Sequence, residues 1–377
     1  MTTMRAAVLR VMGAPAPYAA SRPLVIETVT LQPPGPGEVL VRVRAAGLCH
    51  SDLSVIDGSR PRPMPMLLGH EATGEVVETG TGVASLAIGD AVVFSFVPMC
   101  GHCGPCAIGR PVLCEPGAAA NARGTLLAGS SRLRDSDEAA LHHHLGVSGF
   151  AEYAVVSERS AVRIDGDLPP RIAALFGCAV MTGVGAVVNT AGVLPGQSVA
   201  VFGLGGVGLS ALLGANAASA WPLVAIDVVP EKLALARELG ASHCIDARDG
   251  DVAAAVRDAT DGGVDIAIET AGSEHVLATA YAATRRGGTT VTVGLPAPDR
   301  KFSIPAVSLV AEERTLKGSY MGSAVPRRDI PRYIALYRAG KLPVDRLLTH
   351  TLALDEINEG FDRLARGEAI RQVVLFD

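Results

Sequence analysis

Residues 100–114, CGHCGPCAIGRPVLC, hold four thiols, Cys100, Cys103, Cys106 and Cys114, within fifteen residues. Thiols at this density serve as a disulfide staple, a redox pair or a metal site. The spacing C-x2-C-x2-C with a fourth cysteine beyond can close a tetrahedron around Zn2+, and Gly101, Gly104 and Pro105 let the backbone turn tightly between ligands. Four thiolates leave no coordination position for a substrate, so the stretch predicts a structural metal and no chemistry. An iron–sulfur cluster also accepts four thiolates, but in a ferredoxin run the fourth cysteine lies closer.

Three further residues could do chemistry: Cys49 in AAGLCHSDL, His70 in LLGHEATG and Cys178 in FGCAVMTG. Each alone has a plainer reading, as a small buried hydrophobe or a hydrogen-bonded imidazole, and sequence spacing does not bring them together. A Cys/His/Cys zinc site with one open position is therefore a candidate only. A second kind of chemistry is carried by GLGGVG, residues 203–208, which matches G-x-G-x-x-G through Gly203, Gly205 and Gly208. Alone this is a Gly-rich turn. An apolar strand before it, a helix after it and Asp227 nineteen residues past Gly208 make it a dinucleotide fingerprint. The glycines let backbone approach a pyrophosphate resting on the helix N-terminus, and the Asp227 carboxylate can accept both ribose hydroxyls. That carboxylate would repel a 2′-phosphate, which predicts NAD over NADP; Lys232 can also reach the ribose.

The elements that must position these residues fall into two patterns. Up to about residue 160, short β-type runs such as LVIETV, EVLVRVRAAG, ATGEVVETG, DAVVFSFV and AEYAVVS are separated by Gly and Pro, as in a barrel or sandwich. From about Gly177 strands and helices alternate, which predicts a doubly wound parallel sheet. The last residues, with helices around DIPRYIALYRAG and 355–366 and the closing strand RQVVLFD, are expected to return to the first domain. Residues 115–145 read as a connection too long for an ordinary loop, either functional or disordered.

With 377 residues, 49% of them hydrophobic, the chain can fill two cores without staples. A net charge of −5 offers no general attraction to nucleic acid or an anionic membrane, so a small molecule is the expected partner. The N-terminal MTTMRAAVLRV lacks the apolar core of a signal peptide, and no uninterrupted apolar run reaches membrane-spanning length. Seven cysteines, an odd number, argue against a disulfide framework; a soluble cytoplasmic protein is expected.

The motifs GLCHSD, GHE, CGHCGPC with its distant fourth cysteine, TGVGAVVNTA, GLGGVG and AIRQVVLF occur in the order and at the spacing of one family. Over essentially its whole length the chain resembles the zinc-dependent alcohol dehydrogenases of the medium-chain dehydrogenase/reductase family, in their liver-type branch. The resemblance implies an α/β protein with a GroES-like β-barrel catalytic domain, residues 1–179 and 322–377, whose zinc lobe spans about 98–116. Residues 180–321 would be a Rossmann NAD-binding domain. It further implies two Zn2+ per chain. One, catalytic, is held by Cys49, His70 and Cys178 with a fourth position for substrate or water; the other, structural, by Cys100, Cys103, Cys106 and Cys114. By the same resemblance Glu71 is a carboxylate behind the metal, Asp52 orients His70, Ser51 carries the alcohol proton outward, and His50 matches a pyrophosphate-contacting position; beyond Ser51 the proton can leave by water, by the cofactor ribose or with His50 as helper. Thr182, Gly206, Val207, Val293 and Arg371 join Gly203, Gly205, Gly208, Asp227 and Lys232 as cofactor contacts. Arg60, Phe96, His144 and Leu295 fall at substrate-pocket positions.

The function implied is reversible hydride transfer between an alcohol and NAD, with zinc as Lewis acid. An alternative within the same fold is a thiol-adduct formaldehyde dehydrogenase, which uses a basic residue where this chain has Ala118. A catalytically silent relative is a third reading, at odds with the retention of Cys49, His70 and Cys178. Ser54 stands where the liver-type branch often has a histidine in its proton path. Residues 123–146 resemble a liver-type loop, which implies a homodimer paired through the strand near 300–320.

Overall fold

Val41 and Val43 are buried while Arg42 and Arg44 are half-exposed in the strand Glu38–Gly47, the period of two expected where one face of a sheet meets a core. In the computed structural model, which describes residues 1–376, this strand is central to a mostly antiparallel sheet. Glu71–Thr79, Ala91–Phe94 and Ala161–Ile164 extend it on one side, and Arg371–Leu375 followed by Leu348–Leu352 on the other. The register sets Val373 opposite Gly47 and Gly47 opposite Glu71, so the end of the chain lies beside the start of the Glu71 strand.

The same unit, formed by Met1–Cys178, Val325–Pro331 and the chain from Leu348 onward, contains a closed barrel. Its strands are Thr2–Leu9, Leu24–Leu31, Leu133–Arg134, Ala140–His143 and Met66–Leu67, around a core that includes Met4, Val8, Val29, Leu67 and Leu141. Residues 115–145 are thus no mere connection, which corrects the sequence reading. They form the helix Glu115–Arg123, with Pro116 in its first turn and Gly124 as a left-handed cap, and then two barrel strands.

The second unit, Ala179–Ala324 with Arg332–Leu347, carries a parallel sheet in the order His243–Asp246, Leu223–Asp227, Val199–Phe202, Val264–Glu269, Thr284–Thr292, Thr315–Gly318. Val199–Phe202 and Val264–Glu269 are buried throughout, as strands covered by helices on both faces must be. Between these two strands the order reverses, and the Gly203–Gly208 loop leaves the first of them at that switch point. Residues 332–347 cluster here rather than with the first unit, which differs from the boundary at 322. Ile334, Leu342, Val344 and Leu347 are buried, Asn189 Nδ2 donates to the Tyr333 hydroxyl at 3.4 Å, and Arg346 pairs with Glu238. No single helix among the described residues is long and apolar enough to cross a membrane.

Candidate active site

Strand Glu38–Gly47 runs through Leu48 into Cys49, the extended N-cap of the helix His50–Ile56. His70 immediately precedes the strand Glu71–Thr79, and Cys178 follows the turn Ala174–Gly177. These three elements bring the ligand atoms of Cys49, His70 and Cys178 within 4.8 Å of one another, all buried. The two sulfurs are 4.0 Å apart. That is too far for a disulfide, and close to the ~3.8 Å separating two sulfurs held tetrahedrally ~2.3 Å from one ion.

His70 Nδ1 lies 3.1 Å from Asp52, whose carboxylate accepts its proton in a hydrogen bond. With the ring proton on Nδ1, Nε2 keeps a lone pair, and Nε2 is buried without a hydrogen-bond partner. The contact with Cys178 draws the Cys49 thiol well below its ordinary range against the opposition of burial, and pushes Cys178 well above. Two thiolates this close need a cation between them. An orphaned imidazole nitrogen beside two such sulfurs is a donor set that fits zinc, with three protein ligands.

Asp52 is fully buried on the same helix. Burial opposes its ionisation, but the charge of His70, its hydrogen bond and the nearby His144 imidazole hold its carboxyl below the usual carboxylate range. Besides His70 it accepts the Gly69 amide at 3.1 Å, and His144 Nδ1 stands 3.0 Å away without the geometry of a hydrogen bond. His144, expected in the pocket wall, is 2% exposed, its ring edge-on to His70. It follows the barrel strand Ala140–His143, and the tight turn that Leu145, Gly146 and Ser148 make at positive φ follows it. Phe96 covers the other side of His70, ring to ring at 5.0 Å.

Behind the cluster, Glu71 pairs with Arg371, both buried. Burial pushes the Glu71 carboxyl up to about 7, with Arg371 opposing. Gly47 makes room for it, since a Cβ there would stand 2.7 Å from Glu71 Oε1. Arg371, expected at the cofactor, has this carboxylate as its partner. Ser51, half-buried, and the exposed His50 open the helix, while Ser54 Oγ donates to the His50 carbonyl at 2.8 Å. Arg60 is half-buried just beyond, its amide bonded to the Ser54 carbonyl.

In the cysteine-rich lobe the four sulfurs of Cys100, Cys103, Cys106 and Cys114 lie within 4.8 Å of one another, none in a disulfide. The Cys103 amide donates to Cys100 Sγ at 3.3 Å, and the amides of Cys100 and Gly117 donate to Cys114 Sγ at 3.2 and 3.4 Å. Burial pushes Cys106 up to about 12, while the His102 and Cys103 amides draw Cys100 to about 6 against its burial. The lobe holds four thiolates only with a cation at its centre, which again fits zinc.

The second unit presents the dinucleotide loop. Gly203 has φ +90°, and any Cβ on Gly208 would collide with the Gly203 carbonyl, so helix Gly206–Ala217 approaches the strand as closely as the fingerprint requires. Gly205 caps that helix, and Gly206 and Val207 begin it. Asp227 ends its strand with Oδ2 accepting the Leu204 amide at 2.6 Å and Oδ1 the Val229 amide at 3.0 Å. Lys232 is half-buried on the next helix; Thr182 and Val293 are buried, and Leu295 is exposed. Sequence reasoning missed the Arg371–Glu71 and His144–Asp52 contacts, because nothing in spacing reports a partner 300 or 92 residues away.

Residues 35–166 match the alcohol dehydrogenase GroES-like domain and residues 206–339 the zinc-binding dehydrogenase family. A geraniol dehydrogenase of Castellaniella defragrans is 42% identical over 374 residues, 99% of this chain and 97% of that protein. The alcohol dehydrogenase zinc-binding domain protein of Burkholderia ambifaria superposes with a TM-score of 0.94 at 38% identity, covering 100% of this chain and 99% of that one. The benzyl alcohol dehydrogenase of Acinetobacter calcoaceticus superposes at 0.93 with 33% identity, each chain covered completely. With the GroES-like and Rossmann-type domains both present, the chain belongs to the zinc-dependent medium-chain alcohol dehydrogenase family.

Proposed function

We infer that this chain is an NAD-dependent zinc alcohol dehydrogenase of the liver-type branch, interconverting an alcohol with its aldehyde or ketone. The observation that carries the reading is the convergence of Cys49, Cys178 and the orphaned Nε2 of His70 at one buried point. When bound, zinc supplies Lewis-acid stabilisation of charge on the substrate oxygen, and the nicotinamide supplies a two-electron hydride acceptor. Cys49, His70 and Cys178 hold the metal, and Asp52 fixes His70 with Nε2 free. Phe96 keeps one side of His70 apolar and dry. Ser51 Oγ takes the alcohol proton and passes it toward the exposed imidazole of His50, a route that does not need the family histidine absent at Ser54. The Gly203–Gly208 loop carries the pyrophosphate, and Asp227 the adenosine ribose, which favours NAD.

The substrate class is an apolar primary alcohol with an unsaturated carbon beside the carbinol, the chemistry that the names of the geraniol and benzyl alcohol enzymes share. A homodimer fits the strand Thr315–Gly318, which ends its sheet beside the exposed Val307, Leu309 and Val310. Seven cysteines outside disulfides fit the reducing cytoplasm.

The test is steady-state oxidation of geraniol, benzyl alcohol and ethanol with NAD and NADP by enzyme of measured zinc content. Under this reading the first two should be favoured over ethanol by at least about 10-fold in kcat/KM. Equal activity on ethanol, or turnover by enzyme with no zinc at the three-ligand site, would overturn the reading.

A further inference from the structure

We propose that Glu269 is a positioning residue for the nicotinamide half of the cofactor, bracing two loops at the end of the sheet where that half lies. This rests on the reading that the Gly203–Gly208 loop binds a dinucleotide. In a doubly wound sheet the dinucleotide lies across the carboxyl ends of the strands, one mononucleotide on each side of the switch point. On that reading Asp227 takes the adenosine ribose at the end of the strand Leu223–Asp227. The nicotinamide half then falls on the other side, where Val264–Glu269 and Thr284–Thr292 end.

The ladder between those two strands closes with Glu269 opposite Thr292, and the Glu269 carbonyl accepts the Val293 amide at 2.8 Å. Past that point the Glu269 side chain joins the two segments. It is 1% exposed, and each carboxylate oxygen has its own partner: Oε1 accepts the Gly272 amide at 2.6 Å and Oε2 the Thr292 hydroxyl at 2.7 Å. Burying a carboxylate costs free energy that such bonds must offset. The joint is also tight, since a Cβ on Gly294 would collide with the Gly272 nitrogen. Thr270, the next residue, is anchored separately. Its amide donates to the Phe202 carbonyl at 2.9 Å and its hydroxyl to the Gly203 carbonyl at 2.8 Å. The loop that receives the pyrophosphate is therefore held without the Glu269 carboxylate. Losing that carboxylate loosens Val293 and Gly294 against Gly272 and leaves the adenosine side as it was.

The test measures binding rather than turnover. Zinc-loaded enzyme is titrated with NADH and with ADP-ribose, which lacks the nicotinamide ring. Glu269→Ala removes both side-chain bonds. Glu269→Gln keeps an oxygen for the Gly272 amide and gains an NH2 that can donate to the Thr292 hydroxyl. The ratio of the NADH Kd to the ADP-ribose Kd should rise at least about 10-fold in Glu269→Ala and change by less than about threefold in Glu269→Gln. A role in stability alone would weaken both ligands together or neither, and an unchanged ratio in Glu269→Ala overturns the proposal. A ratio as high in Glu269→Gln as in Glu269→Ala also overturns it, because the brace works by hydrogen bonds that the amide retains.

If Glu269→Ala does not fold, Thr292→Val decides the matter, since it removes one hydroxyl and keeps the shape of the side chain. A rise of at least about threefold in the same Kd ratio supports the brace, and a smaller one overturns it. Wild type separates two failures. Binding of neither ligand removes the dinucleotide reading itself, whereas binding of both with an unchanged ratio in the variants removes only the role of Glu269.

Discussion

The Arg371 guanidinium is paired with the Glu71 carboxylate, both essentially out of solvent, although 300 residues separate them in sequence. The pairing follows from strand order, because Val373 and Glu71 both face Gly47 across the Glu38–Gly47 strand. A buried pair of this kind is dangerous to break singly, since the surviving charge is left without a partner or water. Glu71→Leu or Arg371→Met alone should cost about 3–5 kcal/mol, a fall in Tm of roughly 6–20 °C for a unit of this size. The double variant should recover most of that. Thermal melts of zinc-loaded wild type, both singles and the double check it; additive losses in the double would mean that the two groups are not coupled.

The two metal sites should respond differently to loss of one ligand. Cys178→Ala leaves two ligands at an open site and should abolish turnover while the protein stays folded with about one zinc per chain. Cys103→Ser disrupts a closed site that contributes folding free energy, so stability should fall before chemistry does. Metal analysis together with melts in the presence and absence of chelator distinguishes the pair. Near-normal turnover in Cys178→Ala, or an unchanged Tm in Cys103→Ser, would contradict the assignment.

How far the sequence could be read depended on the range of the interaction. The strand Glu38–Gly47 and the alternation of strands and helices after residue 177 announced themselves through local periodicity, and the four-cysteine lobe through local spacing. Residues 115–145 did not, because their barrel strands Leu133–Arg134 and Ala140–His143 are too short to carry a pattern. The N-terminal strand Thr2–Leu9 was hidden similarly, its buried run Ala6–Leu9 lacking alternation. Cys49 and Cys178 meet across 129 residues, so only resemblance to a family could pair them in advance. The resemblance puts His144 at the pocket, and its close approach to Asp52 is a property of this chain's own histidine.

His143, the neighbour of His144, should make the fold sensitive to acid. Its Nε2 accepts the Arg132 amide at 3.2 Å, which leaves Nδ1 to donate to Ser148 Oγ at 3.3 Å, a neutral ring used at both nitrogens. Burial, with Arg132 adding to it, depresses its pKa from 6.5 to about 3. The unfolded chain therefore takes up a proton that the folded one refuses. This contribution to stability is complete above pH 6.5 and is lost at about 1.4 kcal/mol per pH unit as the pH falls toward 3. Between pH 7 and pH 5 that amounts to about 2 kcal/mol. His143→Gln, whose amide oxygen can still accept from Arg132, should lack this part of the loss. Urea midpoints of both proteins at the two pH values measure it, and parallel shifts would show that His143 is not the group responsible.

Asp227 should decide the choice of nicotinamide cofactor, and it has a second duty that shapes the result. Its carboxylate ends the second strand of the sheet beside the dinucleotide loop, where a 2′-phosphate would meet a like charge and a ribose diol would find an acceptor. Wild type should therefore have a much higher kcat/KM with NAD than with NADP. Asp227→Ser should narrow the ratio, because the repulsive element is gone. Adding Val228→Arg should narrow it further or reverse it, since Val228 is exposed and a guanidinium pairs with phosphate bidentately. The same carboxylate also accepts the Leu204 and Val229 amides, so removing it loosens the loop that receives the pyrophosphate. Each lost hydrogen bond to a charged acceptor is worth about 1.5–3 kcal/mol, so KM for NAD should rise about 10- to 100-fold in Asp227→Ser while kcat changes less. Steady-state kinetics with both cofactors on wild type and the two variants, at saturating alcohol, separates these effects. A wild-type preference for NADP, or an unchanged ratio in Asp227→Ser, would mean that the ribose is anchored elsewhere and that Asp227 serves the loop alone.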